Sequence, residues 1–180
     1  VSGLLGQVGF PIIDADLVAH RLQQPGQPGF ERLVERFGRS ILTMDGSLDR
    51  QRLGQFVFNN QDARNQLNQV MQPLIRETIM GQLAGFTKAA VPAVILDVPL
   101  LFEQGYDEDC DLVVVVTVDK ATQLARLMKR DGLSQMAAQA RVAAQMPLNE
   151  KAARADIVID NNGDDNHLRQ QVAQLVKRLN

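Results

Sequence analysis

Asp14 and Asp16 stand two residues apart at the end of a short apolar run, Phe10-Pro11-Ile12-Ile13, and that spacing allows two uses of a carboxylate. One can accept the free backbone N–H groups of a following helix, while the other enters the ligand crevice that a strand end borders. A second group is cationic: Arg126, Lys129 and Arg130, then Arg141 one predicted helix further on. Planar guanidinium donors with fixed charge suit phosphate groups, and the same spacing also builds solvated helix faces with internal ion pairs. The third group is Asp160-Asn161-Asn162-Gly163, which follows another apolar run. Asn-Gly is a common turn, and its amides and backbone can equally face a ligand.

Composition narrows the chemistry further. The 180 residues are 45% hydrophobic and 22% charged, the balance of one globular domain with room for a small insertion. Net charge is −2 and the isoelectric point near 5.7, against a nucleic-acid footprint and compatible with a local basic site for a phosphorylated small molecule. The single cysteine, Cys110, excludes an intramolecular disulfide framework and a Cys-rich metal site. His20 and His167 have no metal-ligand spacing, and no Ser-His-Asp pattern or Gly-x-Gly-x-x-Gly turn is present. No apolar run reaches membrane-spanning length and no basic-then-apolar leader is visible, so no membrane partner and a cytoplasmic location are expected.

The elements that must position these residues alternate between strands and helices. Ile12–Ile13, Val94–Leu96, Val113–Val116 and Ile157–Ile159 read as strands, and continuous apolar runs of this kind suit a parallel sheet covered by helices on both faces. Residues 30–86 read as helical, broken by a turn at Asp45-Gly46 and by Pro73, with Asp49 and Asp62 as helix starts. Asp119 and Ser134 are placed to cap the two helices that carry the arginines. Val1, Leu4, Leu5 and Val8 have helical spacing with no capping residue ahead of them, so a segment upstream of Val1 is expected. Ligands of such sheets bind beyond the carboxyl ends of the strands, where Asp14, Asp16, the 97–103 stretch and the 160–163 stretch would meet.

Four stretches together resemble the dephospho-CoA kinase family: Ile13-Asp14-Ala15-Asp16-Leu17-Val18-Ala19-His20, Asp97-Val98-Pro99-Leu100-Leu101-Phe102-Glu103, Arg126-Leu127-Met128-Lys129-Arg130-Asp131, and Ala155-Asp156-Ile157-Val158-Ile159-Asp160-Asn161-Asn162-Gly163. Arg141-Val142-Ala143-Ala144-Gln145-Met146 also resembles the family's lid region. The resemblance covers nearly the whole chain. It implies a P-loop-kinase-like α/β fold in a single kinase domain over 1–180, with a helical substrate-binding insertion at about 30–86 and a helical lid at about 126–150. It also implies transfer of the ATP γ-phosphoryl group to the ribose 3′-hydroxyl of dephospho-CoA, with Mg²⁺, to give coenzyme A and ADP.

By that resemblance Asp16 is the catalytic carboxylate, and Arg130, Arg141, Asn161, Asn162 and Gly163 bind ATP. Asp14, Arg76, Pro99, Leu100 and Leu101 then bind the acceptor, and Asp97 acts in the Mg²⁺ shell through water or simply ends its strand. No residue is assigned as a direct metal ligand. Two departures stand out. The family's glycine-rich loop ending in Gly-Lys-Ser/Thr would fall just upstream of Val1, and Gln72-Pro73 stands where the family commonly has His-Pro. Oligomeric state is left open. Another small-molecule kinase of the same fold, or a non-catalytic nucleotide-binding module, are the alternatives.

Overall fold

The computed structural model describes residues 1–58 and 60–179, with the Phe58 side chain left aside. In chain order the elements are α1 (Ser2–Gln7), β1 (Ile12–Asp14), α2 (Ala15–Leu22), α3 (Pro28–Phe37), α4 (Arg50–Phe58), α5 (Gln61–Lys88) and β2 (Ile95–Asp97). There follow β3 (Val114–Thr117), α6 (Lys120–Asp131), α7 (Gln135–Ala143), α8 (Leu148–Arg154), β4 (Ile157–Asp160) and α9 (Asp165–Leu179). The fold divides into two compact units, one formed by Ile12–Asp97 and the other by Val1–Pro11 with Val98–Asn180. No helix among the described residues is long and apolar enough to cross a membrane.

In the unit Ile12–Asp97, β1 and β2 pair in parallel with Ile12 opposite Ile95 and Asp14 opposite Asp97. Parallel pairing needs a long crossover, and α2 to α5 supply it. Helix α5 is the spine against which α2, α3 and α4 pack. Its buried Met71, Leu74, Ile75 and Ile79 recur at helical spacing on one face. Pro73 lies inside α5 and does not break it, contrary to the expected interruption. A proline in a helix costs roughly 3 kcal/mol. Four buried aliphatic side chains contribute about 1.5–3 kcal/mol each, and so outweigh it.

The start of α5 also differs from expectation. Asn60 rather than Asp62 caps it, accepting from the Ala63 N–H at 3.0 Å, while Asp62 sits in the first turn. Asp49 does open α4, accepting from the Arg52 N–H at 2.9 Å. The turn at Asp45-Gly46 is present, with Gly46 at φ 82°. The Thr43 hydroxyl, then the Ser47 hydroxyl and N–H, hold the Asp45 carboxyl down at about 2. At Gly29 a Cβ would stand 2.5 Å from the Leu22 carbonyl oxygen, so the approach of α3 to the end of α2 requires glycine.

In the second unit, β3 and β4 pair in parallel from Val114–Ile157 to Thr117–Asp160. Their crossover runs through α6, α7 and α8. A cluster of Phe102, Val113 and Val115 forms the core here, with Leu101, Cys110, Met146, Leu148, Ala152 and Ala155 against it. All four expected strands exist, displaced by at most one residue, and they form two separate two-stranded parallel ladders where a single sheet was expected. Asp119 caps α6 through the Thr122 N–H at 2.9 Å, and Ser134 caps α7 through the Ala137 N–H at 3.3 Å.

Candidate active site

The carboxyl end of β1 separates the two aspartates into two tasks. Asp14 is the last residue of the strand and the cap of α2, its carboxylate accepting from the Leu17 N–H at 2.9 Å. Asp16 lies exposed in the first turn of α2, where the helix dipole favours a negative charge. Directly across the ladder from Asp14 stands Asp97, the last residue of the neighbouring strand. Arg76 lies half-buried on α5, one turn past Pro73.

The stretch after β2 folds as a tight loop in the second unit. The Gln104 N–H donates to the Leu100 carbonyl at 3.1 Å and the Tyr106 N–H to the Leu101 carbonyl at 2.9 Å. Pro99 is exposed and Leu100 half-buried, whereas Leu101 packs on the core cluster and Phe102 is part of it. Glu103 is held by two donors: the Lys151 ammonium at 2.8 Å and the Met146 N–H at 2.9 Å. Burial pushes the Glu103 carboxyl up, but those two hydrogen bonds win and bring it below the usual glutamate value.

On the helix pair α6–α7, Arg130 and Arg141 converge on one acidic residue. Asp131 accepts from Arg130 Nε at 2.7 Å and from Arg141 Nη1 at 2.8 Å. The hydrogen bond from Arg130, with the charges of Arg130 and Arg141, holds the Asp131 carboxyl below its ordinary range. Both arginine side chains remain largely exposed, 70% and 53%. Thus the two arginines are gathered on one carboxylate, that of Asp131.

The loop after β4 is knitted from within. Asn162 donates from Nδ2 to Asp160 Oδ1 at 2.6 Å and accepts the Asp119 N–H on its Oδ1 at 2.8 Å. Its side-chain amide thereby links β4 to the cap of α6, a structural role that spacing alone did not reveal. Arg126 donates to the Asn161 carbonyl at 3.1 Å, so it anchors this loop instead of joining Arg130 and Arg141. Gln171 clasps Asp160 through both its N–H and its carbonyl, at 2.9 and 2.7 Å. A Cβ on Gly163 would meet the His167 ring at 2.9 Å, so glycine is needed for that ring to close over the loop. Cys110 donates to the Tyr106 carbonyl at 3.2 Å, and burial, followed by the charges of Asp109, Asp107 and Asp111, pushes its thiol up. That is an inert thiol.

Each unit is parallel α/β, one with carboxylates at its strand ends and the other with arginines gathered on a crossover helix pair, which is consistent with a P-loop-kinase-like α/β fold. Comparisons with known proteins carry this to a family. The family model described as dephospho-CoA kinase matches residues 1–167. The chain is 49% identical over 172 residues to the dephospho-CoA kinase of Symbiobacterium thermophilum, covering 96% of this chain and 72% of that one. It is 40% identical over 178 residues to that of Geobacillus kaustophilus, covering 99% and 89%. Among solved structures, one from Thermus thermophilus superposes with a TM-score of 0.81 at 30% identity, covering 99% of this chain and 90% of that one. Dephospho-CoA kinase from Campylobacter jejuni superposes with a TM-score of 0.72 at 31% identity, covering 98% and 88%. The chain belongs to the dephospho-CoA kinase family, and is a kinase that uses ATP in the last step of coenzyme A synthesis. Neither a different small-molecule kinase nor a non-catalytic module is favoured by these relatives.

Proposed function

We propose that Asp16 is the general base of this kinase, taking the proton of the dephospho-CoA ribose 3′-hydroxyl as that oxygen attacks the γ-phosphorus of ATP. One O–P bond forms, the bond from the β,γ-bridging oxygen to the γ-phosphorus breaks, and ADP leaves. The observation that carries this reading is the division of labour at β1. Asp14 already caps α2, so Asp16 is not needed for that purpose and is exposed at the strand end where such sheets bind ligands.

Arg130 and Arg141 turn from Asp131 to the phosphates, where charge builds in the transition state. Asn161 and Gly163 face the adenine edge through a loop that Asn162, Arg126 and Gln171 hold in shape. Pro99, Leu100 and Leu101 take the acceptor with Asp14 and Arg76, and residues 1–180 act as one kinase domain. Among the described residues no three acidic, His or Cys side chains gather around a metal position. Mg²⁺ is usually held by one or two carboxylates with the substrate phosphates and water, and Asp97 at the end of β2 would supply one of them through water. When bound, the ion neutralises charge on the β- and γ-phosphate oxygens.

The test is Asp16→Asn in the full-length enzyme. Asn keeps the size but takes no proton, so turnover with saturating ATP should fall about 10²–10⁴-fold. Melting temperature and ATP affinity should stay near wild type. Near-normal turnover would reject the assignment.

A further inference from the structure

Helix α8 is too short and too plain in sequence to attract attention, yet it grips the loop after β2 at both ends. Lys151 is the only charged residue among the described ones that is buried, at 8% exposure. Its ammonium donates to the Pro99 carbonyl at 3.0 Å and to Glu103 Oε1 at 2.8 Å. Three residues later on the same helix face, Arg154 lies over the Phe102 ring at 4.4 Å and donates to Asp107 at 2.7 Å. Glu103 Oε1 also accepts the Met146 N–H, in the connection between α7 and α8. The loop that follows β2 is therefore tied to α8, which packs on β3, and to the base of the helix pair carrying Arg141.

Burying an ammonium is expensive, and apolar side chains of similar volume often serve stability as well or better. A lysine kept at such a place is better explained by what it orients. We propose that Lys151 is a positioning residue for the acceptor: by holding the Pro99 carbonyl and Glu103 it fixes the 99–103 loop, and so sets acceptor affinity without touching the substrate. This rests on the reading of Pro99, Leu100 and Leu101 as acceptor-binding. Displacing such a loop relocates the groups that orient the attacking hydroxyl, and small misplacements are costly in rate and binding.

The experiment measures KM for each substrate in the full-length enzyme carrying Lys151→Met, and in the double variant Lys151→Met/Glu103→Gln. The single variant leaves the Glu103 carboxylate without its cation and should melt lower. The double variant removes both charges, keeps an acceptor for the Met146 N–H, and should regain much of that loss. In both, the dephospho-CoA KM should rise about tenfold while the ATP KM stays within about twofold. If the dephospho-CoA KM returns to wild type as stability returns, or both KM values move together, Lys151 is merely structural and the proposal fails. Leu100→Ala separates the two layers. A raised dephospho-CoA KM there, with none in the Lys151 variants, sinks the positioning role alone. No change in any of them sinks the acceptor-loop reading as well.

Discussion

Two carboxylates in the same unit each hold cations from the same stretch of chain, and they do so in opposite ways. Asp131 holds Arg130 and Arg141 at the surface, with the arginine side chains 70% and 53% exposed. Glu103 holds Lys151, whose side chain is 11% exposed, and the same ammonium is fixed again by the Pro99 carbonyl. Exposed pairs are weak and exchange readily with water or with another anion, whereas a desolvated pair resists separation. The first arrangement suits cations that must change partner when a phosphate arrives. The second suits a cation that must not. Between Glu103 and Lys151 the chain thus uses one type of contact in an exposed and in a desolvated form.

The largest expected effect on this contrast comes from removing an arm. Arg141→Ala in the full-length enzyme should lower kcat/KM for ATP about ten- to a hundredfold, since a charge-assisted hydrogen bond contributes about 1.5–3 kcal/mol. The melting temperature should hardly move, because the lost partner is a surface carboxylate. Steady-state kinetics and a thermal melt on the same sample check it. Unchanged ATP kinetics would make α6–α7 a solvated face and remove one side of the contrast.

Acid sharpens the anchor. Glu103 titrates below its ordinary value of 4.5 in the folded chain. A carboxyl lowered by folding stabilises above its unfolded value, and that stability disappears as pH falls through the folded value. The melting-temperature gap between wild type and Glu103→Gln should therefore be widest near neutrality and narrow below about pH 4.5. A gap that stays constant from neutral to acid pH would show that the ionised carboxylate does not matter to the anchor.

What was readable in advance divides along a similar line. Local signals were legible: four apolar runs became four strands, paired in parallel two by two, and Asp14, Asp49, Asp119 and Ser134 cap the helices that follow them. Pro73 misled because a local rule met a buried face of Met71, Leu74, Ile75 and Ile79, and tertiary burial won. Asp62 lost the cap to Asn60 because both stand near the helix start and either side chain can accept there. Lys151 was invisible because its partners Pro99 and Glu103 lie some fifty residues upstream. One signal was available: Leu148, Ala152 and Ala155 form an apolar stripe, and Lys151 borders it. Arg126 and Asn162 likewise reach partners through the fold, the Asn161 carbonyl and the Asp119 N–H, which residue type and spacing do not disclose.

The smallest effect is the most discriminating, because it concerns the partner of the arms and not the arms themselves. If Asp131 only parks Arg130 and Arg141 until phosphate arrives, then it competes with ATP for them. Asp131→Asn keeps the shape of the side chain and lowers its hold on both guanidinium groups. Its carboxyl lies at the surface, so the melting temperature should stay within about 2 °C. The KM for ATP should fall about twofold, since less of the binding energy goes into displacing a charged partner. Low salt should enlarge the difference and high salt erase it, as screening weakens the parking contact. A raised KM for ATP would mean the opposite, that Asp131 holds the arginines in the geometry the phosphates need. The arm and the anchor would then be two versions of one positioning device, differing in exposure and not in purpose.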